Sequence, residues 1–229
     1  MSHEDEDETP GSTVCLAHML VDGHVVDPQT WNDVSTFRKS ERKRLYVARQ
    51  NQSADERKSA STAISLRLDE ILGDVAGRRI AAFWPIRGEV NLHGWMAAAS
   101  DRGAQIGLPV VVEKNHPVEF HRWSPGCVMA KGIWHIPVPA EPDPVTPDVV
   151  IVPLLGVDER GYRLGNGGGY YDRTLARLDG EVLIIGVGQA FARIKTIFPM
   201  PWDVPMHKVV LGDGTVSDHF FRLTKPPGG

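Results

Sequence analysis

Four stretches of this chain are largely apolar and rich in β-branched residues: RRIAAFWPI from Arg78, AQIGLPVVV from Ala104, DVVIVPLL from Asp148 and EVLIIGVG from Glu181. Runs of that length and kind fill strands covered on both faces. Between them the spacing of apolar residues becomes helical. Ala60, Ile64, Leu68, Ile71 and Leu72 form one stripe that ends near Gly73, and Ser53 with Glu56 makes a capping box at its start. A second helical stretch runs from about Asn91 to Gly103. A third runs from Tyr170 to Leu178, with Tyr171, Thr174, Leu175 and Leu178 along one side and Gly180 as its stop. The segment from Asp33 to about Asn51 is also helical, with Val34, Phe37, Leu45 and Ala48 as a sparse apolar side and a dense set of cations expected opposite. Strands alternating with helices predict an α/β fold: a three-layer, Rossmann-like, mostly parallel sheet flanked by helices on both faces.

Other segments fall at the periphery of that sheet. Val118 to Gly126 alternates as an antiparallel edge strand does. The proline-rich stretch from Lys131 to Asp148 must be extended and excludes helix. KVVL, Lys208 to Leu211, reads as the final strand, and Asp22-Gly23 between apolar runs is a hairpin signal. The first dozen residues are acidic and polar, as in a mobile tail. The expected division is an N-terminal extension over residues 1–30 and one α/β domain over residues 31–229.

Composition narrows the function. Of 229 residues, 41% are hydrophobic and 24% charged, ordinary for a globular protein, so a large single core is affordable. A net charge of −4 argues against nucleic acid or an anionic membrane as the partner. There is no run of membrane-spanning length and no signal-peptide layout at the start, so the expected location is the cytoplasm and the expected partner a small molecule. Cys15 and Cys127 form no paired motif, and no histidines fall in a metal-binding array. The assembly expected is a monomer or homodimer.

The chemistry concentrates in RLGNGGGYYDRTLARL, Arg163 to Leu178, which places a glycine-rich loop between a buried strand and a helix. A helix start presents unpaired amides and the positive end of the helix dipole to such a loop. Gly165, Gly167, Gly168 and Gly169 let the main chain approach an anion closely, while Arg163 and Arg173 flank it with cationic donors. Asp172 suits a Mg²⁺ that accompanies a nucleotide polyphosphate, or else only favours the first turn of its own helix. Arg38 and Arg42, four apart on one helix face, suit two contacts to one polyphosphate or a solvated charge run. Glu89 lies beyond a strand end, where α/β sheets bind ligands, and is otherwise an exposed helix-start residue.

The string RLGNGGGYYDRTLA resembles the signature of the 5-formyltetrahydrofolate cyclo-ligases, preceded by Val152, Pro153, Leu155 and Asp158 in the matching strand and by Gly161 before Arg163. The resemblance spans roughly residues 35–212. It implies ATP-dependent closure of a reduced folate with Mg²⁺, with Arg163, Asp172 and Arg42 as catalytic groups. It places ATP against Arg38, Arg42, Arg163, Gly165, Gly167, Gly168, Gly169, Tyr170, Tyr171 and Asp172, with Asp172 holding the metal. It places the folate against Glu89, preserved in G-E-V-N, with Trp123 and Tyr171 offering aromatic surface. This chain departs from the family pattern at Asn166 in place of an aromatic, Val138 in place of a connector glutamate, Arg193 in place of a glutamine and Arg38 in place of a lysine. Two other readings share these residues: a relative that keeps the ATP site but acts on another substrate, one linked with thiamine, or a non-catalytic nucleotide-binding protein.

Overall fold

The computed structural model describes residues 19–21, 23–178 and 181–221; the acidic tail, Cys15, Asp22 and Gly180 lie outside the described residues. β1 (Met19–Val21) and β2 (His24–Val26) pair antiparallel as a hairpin, Met19 opposite Val26. α1 (Pro28–Gln50) follows directly. It begins before Asp33 because Asp27 caps it, accepting from the Thr30 amide at 2.7 Å, and because Pro28 suits a first helical turn. α2 (Ala54–Leu72) starts at the expected capping box, with Glu56 N donating to Ser53 Oγ and Ser53 N to Glu56 Oε2. Then come β3 (Arg79–Ala81), α3 (His93–Asp101), β4 (Gln105–Val110), β5 (Glu119–Trp123), β6 (Met129–Lys131), β7 (Pro137–Pro139), β8 (Val149–Pro153), β9 (Gly156–Val157), β10 (Arg163–Leu164), α4 (Tyr170–Leu175), β11 (Leu183–Gly188), β12 (Lys208–Leu211) and β13 (Val216–Asp218).

Seven strands form the central sheet in the order β13-β12-β11-β8-β3-β4-β5. The strands from β12 to β4 are parallel, and β5 and β13 close the edges antiparallel. Successive residues of a strand face opposite sides. Ile80, Ile106, Val149, Ile151, Ile185 and Val210 therefore meet α2 and α3 through Ile64, Leu68, Leu72, Trp95 and Met96 on one face. Ala81, Val150, Val152, Ile184, Val209 and Leu211 meet Leu175 of α4 on the other. Each fully buried Leu or Ile contributes about 1.5–3 kcal/mol, so these two seams rather than helix propensity hold the three layers together. The proline-rich connector is extended, with β6 antiparallel to β7 across a single 3-10 turn at Ile133–His135.

α1 packs over the loops beyond the strand ends: Leu45 meets Leu155, Leu164 and Ile197. Val34 packs with Val26, Met200, Trp31 and Trp202, which seats the β1–β2 hairpin against the same helix. Lys39, Lys43 and Arg44 of α1 are exposed, as expected, but not every cation lies opposite the apolar side. Arg38 and Arg49 are buried with Val34 and Leu45. At 100° per residue, positions 34, 38, 42, 45 and 49 fall within about 80° of one another, a stripe of one face. The reason is tertiary: that face looks at the main-chain carbonyls of loops, which guanidinium groups can satisfy.

The strand order reverses between β3 and β8. β3 leads outward to β4 on one side, while β8 leads to β11 and β12 on the other. At such a point the outgoing connections diverge and leave a crevice beyond the carboxyl ends of the two strands, the usual ligand position in doubly wound sheets. Here the crevice lies between the segment after β3, which carries Glu89, and the glycine loop reached from β8 through the β9–β10 hairpin.

Candidate active site

Arginine side chains shape the glycine loop from below. Arg42 Nε donates to Gly165 O at 2.8 Å, and Arg173 Nη2 donates to Gly168 O. A planar trans peptide points its C=O and its N–H in opposite directions. Turning the carbonyls of Gly165 and Gly168 toward arginines therefore turns the amides of Asn166 and Gly169 the other way. Among the described residues, none of the main-chain hydrogen bonds is donated by Asn166, Gly167, Gly168 or Gly169. Gly167 at φ 99° and Gly169 at φ 66° hold conformations that side-chain-bearing residues rarely adopt. At Gly165 a Cβ would lie 2.4 Å from Arg163 Nη1, so part of the glycine requirement is room for arginines.

Arg163 and Asp172 close the two ends of this loop on each other, with Nη2 to Oδ2 at 2.7 Å. The Arg163 guanidinium also lies 5.2 Å from the Tyr171 ring centroid. Burial pushes the Asp172 carboxyl up from its ordinary value, against the Arg163 charge and the Val204 amide that pull it down. Asp172 is thus engaged by Arg163, and among the described residues no group of three or more acidic, histidine or cysteine side chains is placed to hold a metal. Asp172, the expected Mg²⁺ ligand, also ties the two ends of the loop together through Arg163.

Glu89 comes to the same crevice. Asn166 Nδ2 donates to Glu89 Oε1 at 3.3 Å, Ile86 N donates to Glu89 Oε2 at 3.1 Å, and Tyr46 OH donates to Asn166 Oδ1. Asn166, the residue standing in place of the family's aromatic, bridges α1 to the turn after β3. Burial lifts the Glu89 carboxyl above its usual range, opposed by the Ile86 amide, Arg49 and Asn166. The buried Tyr171 hydroxyl has no hydrogen-bond partner, and burial, with the Glu89 charge, raises its pKa.

Two expected residues lie elsewhere. Arg38 directs its hydrogen bonds to Asp203, to Ile197 O at 2.9 Å and to Phe198 O at 2.9 Å, and it forms a buried ion pair with Asp203. It ties α1 to the segment before β12 rather than opening toward the loop. Trp123 belongs to the core against α2 and α3. Because β5 is antiparallel, Trp123 pairs with Ile106 at the amino end of β4, the end of the parallel strands away from the crevice. Arg193 donates to Thr215 Oγ1 at 2.7 Å, and Val138 lies on β7.

The sequence reading missed Arg49, Tyr46, Asn166, Gln189 and Trp134 as site residues. Arg49 is 2% exposed, donates Nη2 to Leu154 O at 2.9 Å and leaves Nε and Nη1 without a partner. Burial lowers its pKa, with Glu89 and Tyr46 opposing. Its signal was present in the spacing of Arg38, Arg42, Leu45 and Arg49. Gln189 follows β11, is 2% exposed, accepts from Gln52 Nε2 at 3.0 Å and lies 3.5 Å from Gly88 O through Nε2. Trp134 is 58% exposed, has φ 57° and stands edge-on to Tyr170 at 5.3 Å, a contact between the proline-rich connector and the loop. Arg42, Arg49 and Arg163 act electrostatically beside Glu89 and Asp172 around the crevice.

Comparison with known proteins agrees with this arrangement. The model of the 5-formyltetrahydrofolate cyclo-ligase family matches residues 34–212. A 5-formyltetrahydrofolate cyclo-ligase of Mycolicibacterium smegmatis is 31% identical over 144 residues, 59% of this chain and 74% of that protein. One from Haemophilus influenzae is 25% identical over 173 residues, 72% of this chain and 91% of that protein. The solved structure of the Aquifex aeolicus 5,10-methenyltetrahydrofolate synthetase superposes with a TM-score of 0.68 at 30% identity, over 83% of this chain and 95% of that one.

Proposed function

This chain belongs to the 5-formyltetrahydrofolate cyclo-ligase family, and from that premise we propose that it uses ATP to close 5-formyltetrahydrofolate into 5,10-methenyltetrahydrofolate, releasing ADP and phosphate. It is a ligase that joins carbon to nitrogen. The formyl oxygen attacks the γ-phosphorus and ADP leaves. N10 then adds to the activated formyl carbon and loses its proton, and phosphate departs with the former formyl oxygen. Both nucleophiles belong to the substrate, so the protein positions the reactants and neutralises developing negative charge.

The observation that carries this reading is the loop from Gly165 to Gly169. Its carbonyls are held by Arg42 and Arg173, and its amides are left for an anion. We assign the triphosphate to those amides, with Arg42 and Arg173 behind them and the Arg163–Asp172 pair fixing the loop's ends. Tyr170 and Tyr171 border the same space. Glu89, held by the Ile86 amide and Asn166, faces the folate's polar ring edge. We take Mg²⁺ to arrive with ATP and Asp172 to be the carboxylate beside it, since in nucleotide sites one or two carboxylates hold the ion together with the phosphates. We place the enzyme in the cytoplasm as a monomer or homodimer. No helix among the described residues is long and apolar enough to cross a membrane.

A relative that keeps the nucleotide site for a different substrate is the second reading. It is favoured by Asn166, whose bridge from Tyr46 to Glu89 puts polar groups where the family has an aromatic. Purified protein separates the two. ATP-dependent growth of methenyltetrahydrofolate absorbance is the expected result, and ATP binding with no turnover of any formylfolate sinks the first reading.

A further inference from the structure

The family match begins at residue 34, and the β1–β2 hairpin with the start of α1 precedes it. The hairpin has two unlike faces. Met19 pairs with Val26 and Val21 with His24 on one of them, and Leu20 pairs with Val25 on the other. Leu20 and Val25 are 73% and 65% exposed, so theirs is the outer face. On the inner face Met19, Val21 and Val26 pack with Trp31 and Val34 of α1 and with Met200 and Trp202. Trp202 stands edge-on to Trp31 at 5.5 Å and lies 6.1 Å from the His24 ring. Both of those ring partners come before the matched span.

Met200 and Trp202 belong to one tight turn. The Asp203 carboxylate accepts from Met200 N at 2.6 Å, and the Asp203 amide donates to Met200 O at 2.9 Å. These bonds are internal to the turn, so its direction does not depend on the Arg38 ion pair that also reaches Asp203. The next amide, that of Val204, donates to the Asp172 carboxylate. Beyond it Pro205 pairs with Tyr162, and Met206 N donates to Gly161 O at 3.0 Å, where the chain turns from β9 into β10. Peptide planes are rigid, so an amide is aimed only as well as the residues on either side of it are fixed. The Val204 amide is fixed on its far side by the β9–β10 turn and on its near side by a turn that rests on the hairpin.

Resting on the assignment of the nucleotide to the glycine loop, we propose that the β1–β2 hairpin is a positioning element for that loop: by seating Met200 and Trp202 it aims the Val204 amide at Asp172 and so fixes the carboxylate beside the triphosphate. Trp31 and Trp202 are positioning residues that act through Asp172.

Amide exchange of the full chain without ligand, and calorimetric titration with Mg·ADP, test this. The wild type is compared with Met19→Ser plus Val21→Ser on the inner face, Leu20→Ser plus Val25→Ser on the outer face, and Trp202→Phe. The inner-face variant should exchange faster over residues 164–176 and 202–206 while the amides of β8 and β11 keep wild-type protection. It should bind Mg·ADP about three- to tenfold more weakly, the size of effect that loss of one aromatic pair carries. The outer-face variant should match the wild type in both measurements, and Trp202→Phe, which keeps a ring against Trp31, should stay within about twofold in affinity. A loss of protection spread over the whole sheet marks the hairpin as a general brace and overturns the proposal, as does unaltered Mg·ADP affinity in the inner-face variant. Failure of the wild type to bind Mg·ADP overturns it together with the nucleotide assignment.

Discussion

Arg163 Nη2 stands 2.7 Å from Asp172 Oδ2, and this buried pair brackets the whole glycine loop. The side chains are 5% and 16% exposed, so solvent screens the pair little. Removing one partner of such a pair strands the other charge in a poorly solvated place, at a cost of about 3–5 kcal/mol. Asp172→Ala is expected to lose turnover and also to lower the urea midpoint by the equivalent of about 3 kcal/mol. An unchanged midpoint with lost turnover would return Asp172 to a purely chemical role.

Arg42 differs from its neighbour Arg38 in what it holds. Its Nε supports Gly165 O, and its guanidinium carbon lies 3.5 Å from where a Cβ on Gly167 would sit. A hydrogen bond to a charged group is worth about 1.5–3 kcal/mol, which corresponds to a change of about ten- to a hundredfold in binding. Arg42→Ala should raise the KM for ATP by about tenfold or more with a smaller loss in kcat. Steady-state kinetics with ATP varied at saturating folate makes the measurement, and an unaltered KM refutes the support role.

Arg38 supplies the contrast. Its bonds to Asp203, Ile197 and Phe198 join α1 to the strand-connecting segment before β12. Arg38→Met should reduce thermal stability markedly because Asp203 is left buried without its ion-pair partner, while the folded fraction keeps a KM for ATP within about twofold of wild type. A tenfold rise in that KM at unchanged melting temperature would put Arg38 at the phosphates.

Glu89 links the site to pH. Burial raises its folded-state pKa above the unfolded value, so the folded chain binds the proton more tightly. Its destabilising effect is absent below the ordinary carboxylate range, grows as pH rises from there, and is complete above the raised folded value. Asp172 is raised in the same direction. Glu89→Gln should therefore gain stability over the wild type, in the absence of ligands, as pH rises from the ordinary carboxylate range toward neutrality. Parallel stability-versus-pH curves for the two proteins would show that Glu89 keeps an ordinary pKa.

Trp123, on the edge strand, faces α2 and α3 rather than substrate. Trp123→Ala should cost about 3–5 kcal/mol of stability through the cavity it leaves. At a temperature where the variant stays folded, the KM for the folate should match the wild type. A selective rise in that KM would place the indole at the substrate after all.

How far residues alone reached is clearest from pairs of cases. The α2 stripe and its capping box were legible because both are set within a few residues of chain. The glycine loop was legible because it combines a turn, cations and an anion-friendly main chain in one short string. Arg38, Arg42 and Arg49 share one face of one helix, yet one ties down a strand connection, one props the loop and one lines a cleft. Spacing places them on that face, and only the partners brought from Gly165, Asp203 and Leu154 separate their tasks.

Trp123 fails as a site residue for a related reason. Alternation identifies an edge strand, but the direction in which that strand pairs decides which end of the sheet its last residue reaches. Asn166 was visible only as a departure from the family pattern and Gln189 belongs to no pattern; each gains its contacts from a neighbour distant in the chain.

The amino-acid order by itself determined the alternation of buried strands and amphipathic helices, the boundaries of α2 and the glycine-rich turn after Leu164, because periodicity, capping and glycine backbone freedom act over short range. Folding in three dimensions decided that the turn after β3 and the loop after β10 share one crevice, that Asp172 pairs with Arg163 across the loop, and that Arg49 is buried with Nη2 on Leu154 O and with Nε and Nη1 unpartnered. Those outcomes depend on strand order and on contacts across more than a hundred residues, as between Arg49 and Leu154, which no local pattern encodes.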